Sequence, residues 1–413
     1  MIKTGKDPIS TPTYIAIMSV CFIINLPGIA IAPIEGKLIS ILGTSELAVQ
    51  LLTTIPNFVI IPFVLLTGKL SMCRHKIPWI IGSLILYLGC GIGYLFADSV
   101  LGLIIVSSLL GCANGILIPF AMGLVVNTFY GKYRTRHLGV KSAVSNIAVV
   151  GGSFLVGYLI GSKNWHLPFL IYIAAIIPII FCYWLKYVPS LTTKNTANSN
   201  NSNNPAQGVK DINMKRVWAI IGNNVTFSFI AISIVIYLPQ LIQNYGWKPV
   251  ISGDISAIFF IFVLLAGFCL LPFVRLLKQY TFCGIGIFLL TGFGFITFGK
   301  SEWSLFLGAS FAGIAFGIFQ PFIYDKTSYT VTNPVKTILA LSYALTALYI
   351  AIAVEPFIIT GVCKLFHIND ENSFVFKLGF FLSIGYVVIA YTLRKKFAFS
   401  VEKEYINEPD VLN

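Results

Sequence analysis

The chain has 413 residues, of which 57% are apolar and only 10% charged, with a mean hydropathy of +0.86. A soluble core of this size could not hide so much apolar surface, so the composition excludes an ordinary globular enzyme and predicts an integral membrane protein. The formal charge of +13 gives no case for nucleic acid binding, because the basic residues gather in short loops, as expected beside anionic lipid.

The first 13 residues are polar with two lysines. The apolar run that follows is too long for the core of a cleaved leader and predicts an uncleaved anchor helix. Runs long enough to cross roughly 30 Å of hydrocarbon, about 20 residues each, then succeed one another. They lie at 14–35, 47–70, 77–96, 100–127, 138–161 and 167–188, and again at 216–243, 252–274, 280–299, 303–325, 337–361 and 373–393. This predicts an all-α membrane protein of twelve transmembrane helices, six in each half. Between the halves, the polar tract 189–213 contains TTKNTANSNNSNNPAQG and reads as a flexible linker. It divides an N-terminal six-helix bundle, 1–188, from a C-terminal bundle with a short tail, 214–413. If both ends and the linker are cytoplasmic, only Lys37, Lys163, Lys248, Lys300, Lys364 and Lys377 of the 28 lysines and arginines fall outside, which is the bias expected of a plasma-membrane protein with cytoplasmic termini.

GCANGILIPF (Gly111 to Phe120) returns as GIAFGIFQPF (Gly313 to Phe322), 202 positions later and with six of ten residues identical. An offset near half the chain length implies two copies of one multi-helix unit, an architecture that places a solute site between the copies.

Helical spacing picks out polar stripes that lipid could not satisfy. In the seventh helix Asn223, Thr226, Ile230, Ser233, Tyr237, Gln240 and Asn244 advance by alternating steps of three and four. Such a row lines a cavity or makes polar contacts between helices, and the spacing leaves both open. Cys21, Asn25, Gly28, Ala32 and Glu35 share a face of the first helix, with Asn25 deep and Glu35 near its outer end. Gln50, Thr54 and Asn57 mark the second helix, Ser107, Gly111 and Asn114 the fourth, and Gly313, Gly317, Gln320 and Tyr324 the tenth. The candidate solute-binding residues are Asn25, Asn114, Asn223, Ser233, Tyr237, Gln240, Gln320 and Tyr324. No lysine or arginine falls deep in an apolar run, so a neutral or cationic, partly apolar solute fits better than a polyanion.

Ionisable residues within membrane helices are functional candidates by default. Glu35 is either a coupling carboxyl or an exposed helix-end charge. Glu355, before Pro356, is either a coupling carboxyl or a packing residue that reaches outward. Asp325 beside Lys326 reads as a gate or topology charge. The four histidines sit at helix ends and the eight cysteines are scattered, so neither a metal site nor a disulfide framework is predicted. Without G-x-x-x-x-G-K-[ST] or H-E-x-x-H, neither direct use of ATP nor an embedded enzyme is expected. The tails are too short for a sensor domain, and no cofactor is called for.

Six plus six helices around a polar linker resemble the major facilitator superfamily. The loop after the second helix, Gly68-Lys69-Leu70-Ser71-Met72-Cys73-Arg74, is similar to that family's G-x-L-[SA]-D-R-x-G-R-[RK], with Met72 and Cys73 where Asp-Arg stands. Ser107 occupies the place of the arginine in R-x-x-x-G-x-G. Gly152 to Gly157 resembles the antiporter pattern G-P-x-x-G-G without its proline, and Asn164-Trp165 with Phe169 to Tyr172 resembles the family's entry into helix 6. Together these motifs resemble a divergent twelve-helix branch of bacterial drug and metabolite efflux proteins. It implies a fold of two pseudo-symmetric bundles and secondary transport by alternating access, with gate residues at Gly68 and Arg74. It further implies a monomer that exports a small solute in exchange for protons. Uptake or facilitated diffusion stays open, because the helix 5 pattern is incomplete.

Overall fold

The protein is described from a computed structural model that covers every residue except 7, 28–37, 39–40, 45, 74–75, 161–163, 189–210, 248, 334–335, 369 and 402–413. Twelve helical segments follow in order: α1 (Thr11–Ile23), α2 (Glu46–Leu70), α3 (Ile77–Leu95), α4 (Val100–Thr128), α5 (Gly131–Ile160) and α6 (Leu167–Tyr187), then α7 (Met214–Asn244), α8 (Pro249–Leu277), α9 (Thr281–Phe298), α10 (Glu302–Ser328), α11 (Thr337–Leu365) and α12 (Glu371–Thr392). Among the described residues, nine helical stretches are long and apolar enough to cross a membrane, α8 and α9 being counted as one. The twelve-helix reading and the all-α fold are therefore observed.

Local sequence explains many of the boundaries. Ser99 opens α4 by accepting the Gly102 amide at 3.1 Å, and Asp370 opens α12 by accepting that of Ser373 at 3.1 Å, each filling an otherwise vacant end of the helix ladder. Prolines lie inside α2, α4, α8, α10 and α11, where neighbouring helices can re-satisfy the freed carbonyls. Two expected boundaries shift. The fifth helix begins at Gly131 and not at 138, because its polar first turns are held by partners described below. The first helix was expected to reach 35, but its described helical part ends at Ile23.

The chain forms two compact units. One comprises Met1–Tyr130, Val144–Asn213 and Ser328–Ile350; the other comprises Gly131–Ala143, Met214–Thr327 and Ala351–Asn413. In the first unit α4 lies directly on α2. A Cβ on Gly111 would stand 2.8 Å from the Pro56 carbonyl oxygen, and one on Gly115 would stand 2.7 Å from Phe63 Cβ. In the second unit α10 lies on α8 in the same way, with Gly313 against the Phe259 carbonyl and Gly317 against that of Val263, each 2.5 Å from the missing Cβ. Small residues let membrane helices come this close, where dispersion contacts replace the hydrophobic effect as the source of cohesion. Aromatic cores complete each unit. Tyr94 stacks on Phe169 at 4.4 Å in the first, and Phe227 on Phe319 at 3.8 Å in the second.

Candidate functional site

The polar stripe of α7 divides by depth. Asn223, Ser233 and Tyr237 are buried, whereas Thr226, Gln240 and Asn244 are exposed. Asn223 is occupied at both ends of its amide. Its Nδ2 donates to the Ala398 carbonyl at 2.9 Å, and its Oδ1 accepts from the Tyr386 hydroxyl at 2.9 Å. At this position the stripe makes polar contacts between helices, and Asn223 ties α7 to α12 and the segment after it.

One turn and more along α7 the arrangement changes. Ser228 accepts from Gln320 Nε2 at 3.2 Å, which leaves the buried Gln320 Oε1 without a partner. Ser233 donates to Glu355 Oε1 at 2.8 Å, and Glu355 Oε2 is likewise buried and without a partner. Glu355 is 0% exposed, which removes the alternative in which it reaches outward. Tyr237 follows Ser233 by four residues and so shares its side of α7. The unit thus brings α7, α10 and α11 together around two acceptor oxygens that lack donors among the described residues. Buried polar atoms of this kind are rare, and each calls for an explanation.

At the end of α10 lies a charged cluster. Asp325, fully buried, accepts from Arg134 Nε at 2.7 Å and from Thr135 Oγ1 at 2.6 Å. Here are the partners that hold the first turns of α5, and Asp325, expected as a gate or topology charge, forms an ion pair with a hydroxyl bridge. Charge-assisted bonds to both carboxylate oxygens make a strong anchor. Next to it Lys326 is buried and donates to the Ser400 carbonyl at 2.6 Å. Lys141 on α5 is buried as well.

The first unit is chemically quieter. Asn114 is buried and its Oδ1 has no partner. Ser107, which stands where the family pattern has arginine, shares a 2.6 Å hydrogen bond with the Tyr94 hydroxyl. Asn25 was expected deep on helix 1 but is exposed just beyond the described end of α1. A Cβ on Gly68 would stand 2.8 Å from Leu339 Cδ1 and 3.1 Å from Ser342 Cβ, so this glycine allows the close approach of α2 and α11. Tyr324 is buried. Glu35 and Arg74 lie outside the described residues. At the head of α11, Lys336 donates to Asp211 Oδ2 at 2.6 Å, and this bond and charge hold the Asp211 carboxyl below the usual carboxylate range.

Sequence reasoning had passed over Arg134, Thr135, Ser228 and the tie made by Lys326. A signal for the first two existed, since Arg134-Thr135 and Lys336-Thr337 are separated by the same 202 positions as the glycine repeat. They are the basic-threonine heads of two equivalent helices.

Comparison with known proteins bears on the family and the fold. The sequence profile of the Major Facilitator Superfamily matches residues 13–356. Over 185 residues the chain is 29% identical to the multidrug transporter protein MdtP of Bacillus subtilis (strain 168), an alignment that takes in 44% of this chain and 34% of that protein. The match therefore spans about a third of the relative's length. Among solved structures, the proton:xylose symporter XylE bound to 6-bromo-6-deoxy-D-glucose superposes with a TM-score of 0.70 at 13% identity, covering 95% of this chain and 97% of that one. The human organic anion transporter MFSD10 (TETRAN) gives 0.62 at 13% identity, over 90% and 97%. With the profile matched along most of its length and the fold shared, this chain belongs to the Major Facilitator Superfamily and is a membrane transporter, not an enzyme.

Proposed function

We propose that the protein exports a small neutral or cationic, partly apolar solute in exchange for protons, with Glu355 as the coupling carboxyl. The observation that carries this reading is the state of Glu355, with one oxygen held by Ser233 and the other buried without a donor. A carboxyl so placed can hold a proton in one phase of the cycle and face a cationic solute in another, which is the exchange that antiport requires. Gln320 Oε1 offers a second acceptor in the same unit, and Tyr237 an aromatic face for cation-π attraction. The choice of solute class draws further support from the multidrug transporter relative. In this reading the chain sits in a plasma membrane with both termini cytoplasmic, acts as a monomer, and needs no cofactor beyond the proton gradient. The bundles 1–188 and 214–413, joined by 189–213, rock about the solute.

Between the two acidic coupling candidates, Glu355 is preferred because its surroundings give a physical reason for coupling. Uptake or facilitated diffusion is the second reading. It is favoured by Ser107, which is engaged with Tyr94 in place of the family's arginine.

The test uses purified protein in liposomes with an imposed pH gradient and tetraphenylphosphonium at the head of a panel of lipophilic cations. Glu355→Gln should abolish gradient-driven accumulation and spare exchange at equal pH, with Glu35→Gln run beside it. Full accumulation by Glu355→Gln would sink the assignment of the carboxyl, and gradient-insensitive transport by the parent protein would favour facilitated diffusion.

A further inference from the structure

A buried ammonium group requires oxygen partners or an aromatic face. Lys326 has both, and they come from the segment that follows the last helix. Its Nζ donates to the Ser400 carbonyl at 2.6 Å and lies 4.5 Å from the centre of the Phe397 ring. The Arg216 guanidinium lies 4.6 Å from the centre of the same ring. Two residues from Phe397, Phe399 is buried and meets Phe282 edge-on at 5.6 Å. The backbone is engaged too, since Asn223 of α7 donates to the Ala398 carbonyl. Three helical elements are thus gripped by nine residues, 393–401, that a linear reading leaves as a tail.

Lys326 also adjoins Asp325, whose carboxylate is held by Arg134 and Thr135. Successive residues point about 100° apart around a helix of 3.6 residues per turn, so two tethers on neighbours fix the last turn of α10 in rotation as well as in position. We propose that residues 393–401 are a strap that positions the end of α10 through Lys326, and that the strap thereby sets the approach of Asp325 to Arg134. Lys326 is in this sense a positioning residue for the conformational cycle. That consequence rests on the transport reading above, whereas the coupling between strap and ion pair does not.

The experiment is amide hydrogen exchange followed by mass spectrometry on the full chain in detergent, comparing the parent with Lys326→Met and Lys326→Arg. In the parent, residues 396–401 should exchange at least tenfold more slowly than an unstructured peptide. Lys326→Met should speed exchange about tenfold both there and in residues 132–136 of α5, which include the two partners of the Asp325 carboxylate, and Lys326→Arg should restore both. If Lys326→Met does not fold, Phe397→Leu, at a half-buried position, should speed exchange in the same two segments by a few fold. Faster exchange confined to 396–401 would reduce the strap to a terminal cap and overturn the proposal. Unprotected amides at 396–401 in the parent would overturn it outright. Neither readout needs a solute, so a failure of the transport assignment would leave this result standing.

Discussion

Helices α4 and α10 are two copies of one sequence, and they agree and part company at different depths. Gly111 and Gly115 press on α2 as Gly313 and Gly317 press on α8, with the opposed residues, Pro56 and Ile60 against Phe259 and Val263, also related by a near-constant offset. A few residues further on the copies diverge. Gly123 and Leu124 in α4 correspond to Asp325 and Lys326 in α10. Gly123 has no room for a Cβ beside Ile338, whereas Asp325 is buried with Arg134. The same holds at the helix heads, where Arg134 makes a buried pair and its counterpart Lys336 makes an outer one with Asp211, whose side chain is 43% exposed. The lesson is that close helix contact constrains both copies alike, while charge is kept only where a partner was built for it.

The largest expected effect breaks the comparison at the two cations. Arg134→Met leaves Asp325 buried without its counter-charge, and loss of one partner of a buried pair costs about 3–5 kcal/mol. Lys336→Met exposes its partner to water and should cost far less. Thermal unfolding in detergent, followed by gel filtration, distinguishes them, and equal losses would refute the contrast. The next tests the shared packing. Gly115→Val and Gly317→Val should each lower stability by about 1–3 kcal/mol through overpacking, and a variant that keeps the parent's melting temperature would show that its crossing is looser than described.

A smaller effect on stability sharpens the functional side. Asn114→Leu removes an acceptor that lacks a donor, and Gln320→Leu removes another together with the bond from its Nε2 to Ser228, so each should change stability by only about 1 kcal/mol while reducing solute transport in liposomes. Loss of folding with transport unaltered per folded molecule would assign these amides to packing. The smallest effect is set by pH. Because the Asp211 carboxyl is held below its ordinary range in the folded chain, its contribution is present above the unfolded value and disappears as pH falls through the lowered one. The melting temperatures of the parent and Lys336→Met should therefore differ slightly near neutrality and converge in acid. A gap that persists in acid would mean that Lys336 acts through contacts other than this carboxylate.

How far the site was legible follows from the kind of signal each residue carries. Ser233 and Tyr237 were marked by helical spacing, and Glu355 by the cost of a carboxyl within an apolar run. The same spacing also marked Asn223, which closes on Ala398 and Tyr386, and Gln240, which is exposed. Periodicity finds the side of a helix but not what stands opposite. Arg134 looked like one more positive charge in a loop, because its partner lies 191 residues away.

By itself the sequence determined the membrane setting, the number and order of the helices, and the duplication. These depend on apolar run length and local repetition, which a single chain displays directly. Only the tertiary structure decided which of the marked polar groups are satisfied and which are left wanting. It joined Asp325 to Arg134, Ser233 to Glu355 and Lys326 to the segment after α12. A hydrogen bond between remote residues is fixed by helix packing to tenths of an ångström, and no property of either residue's own neighbourhood in the sequence encodes that distance.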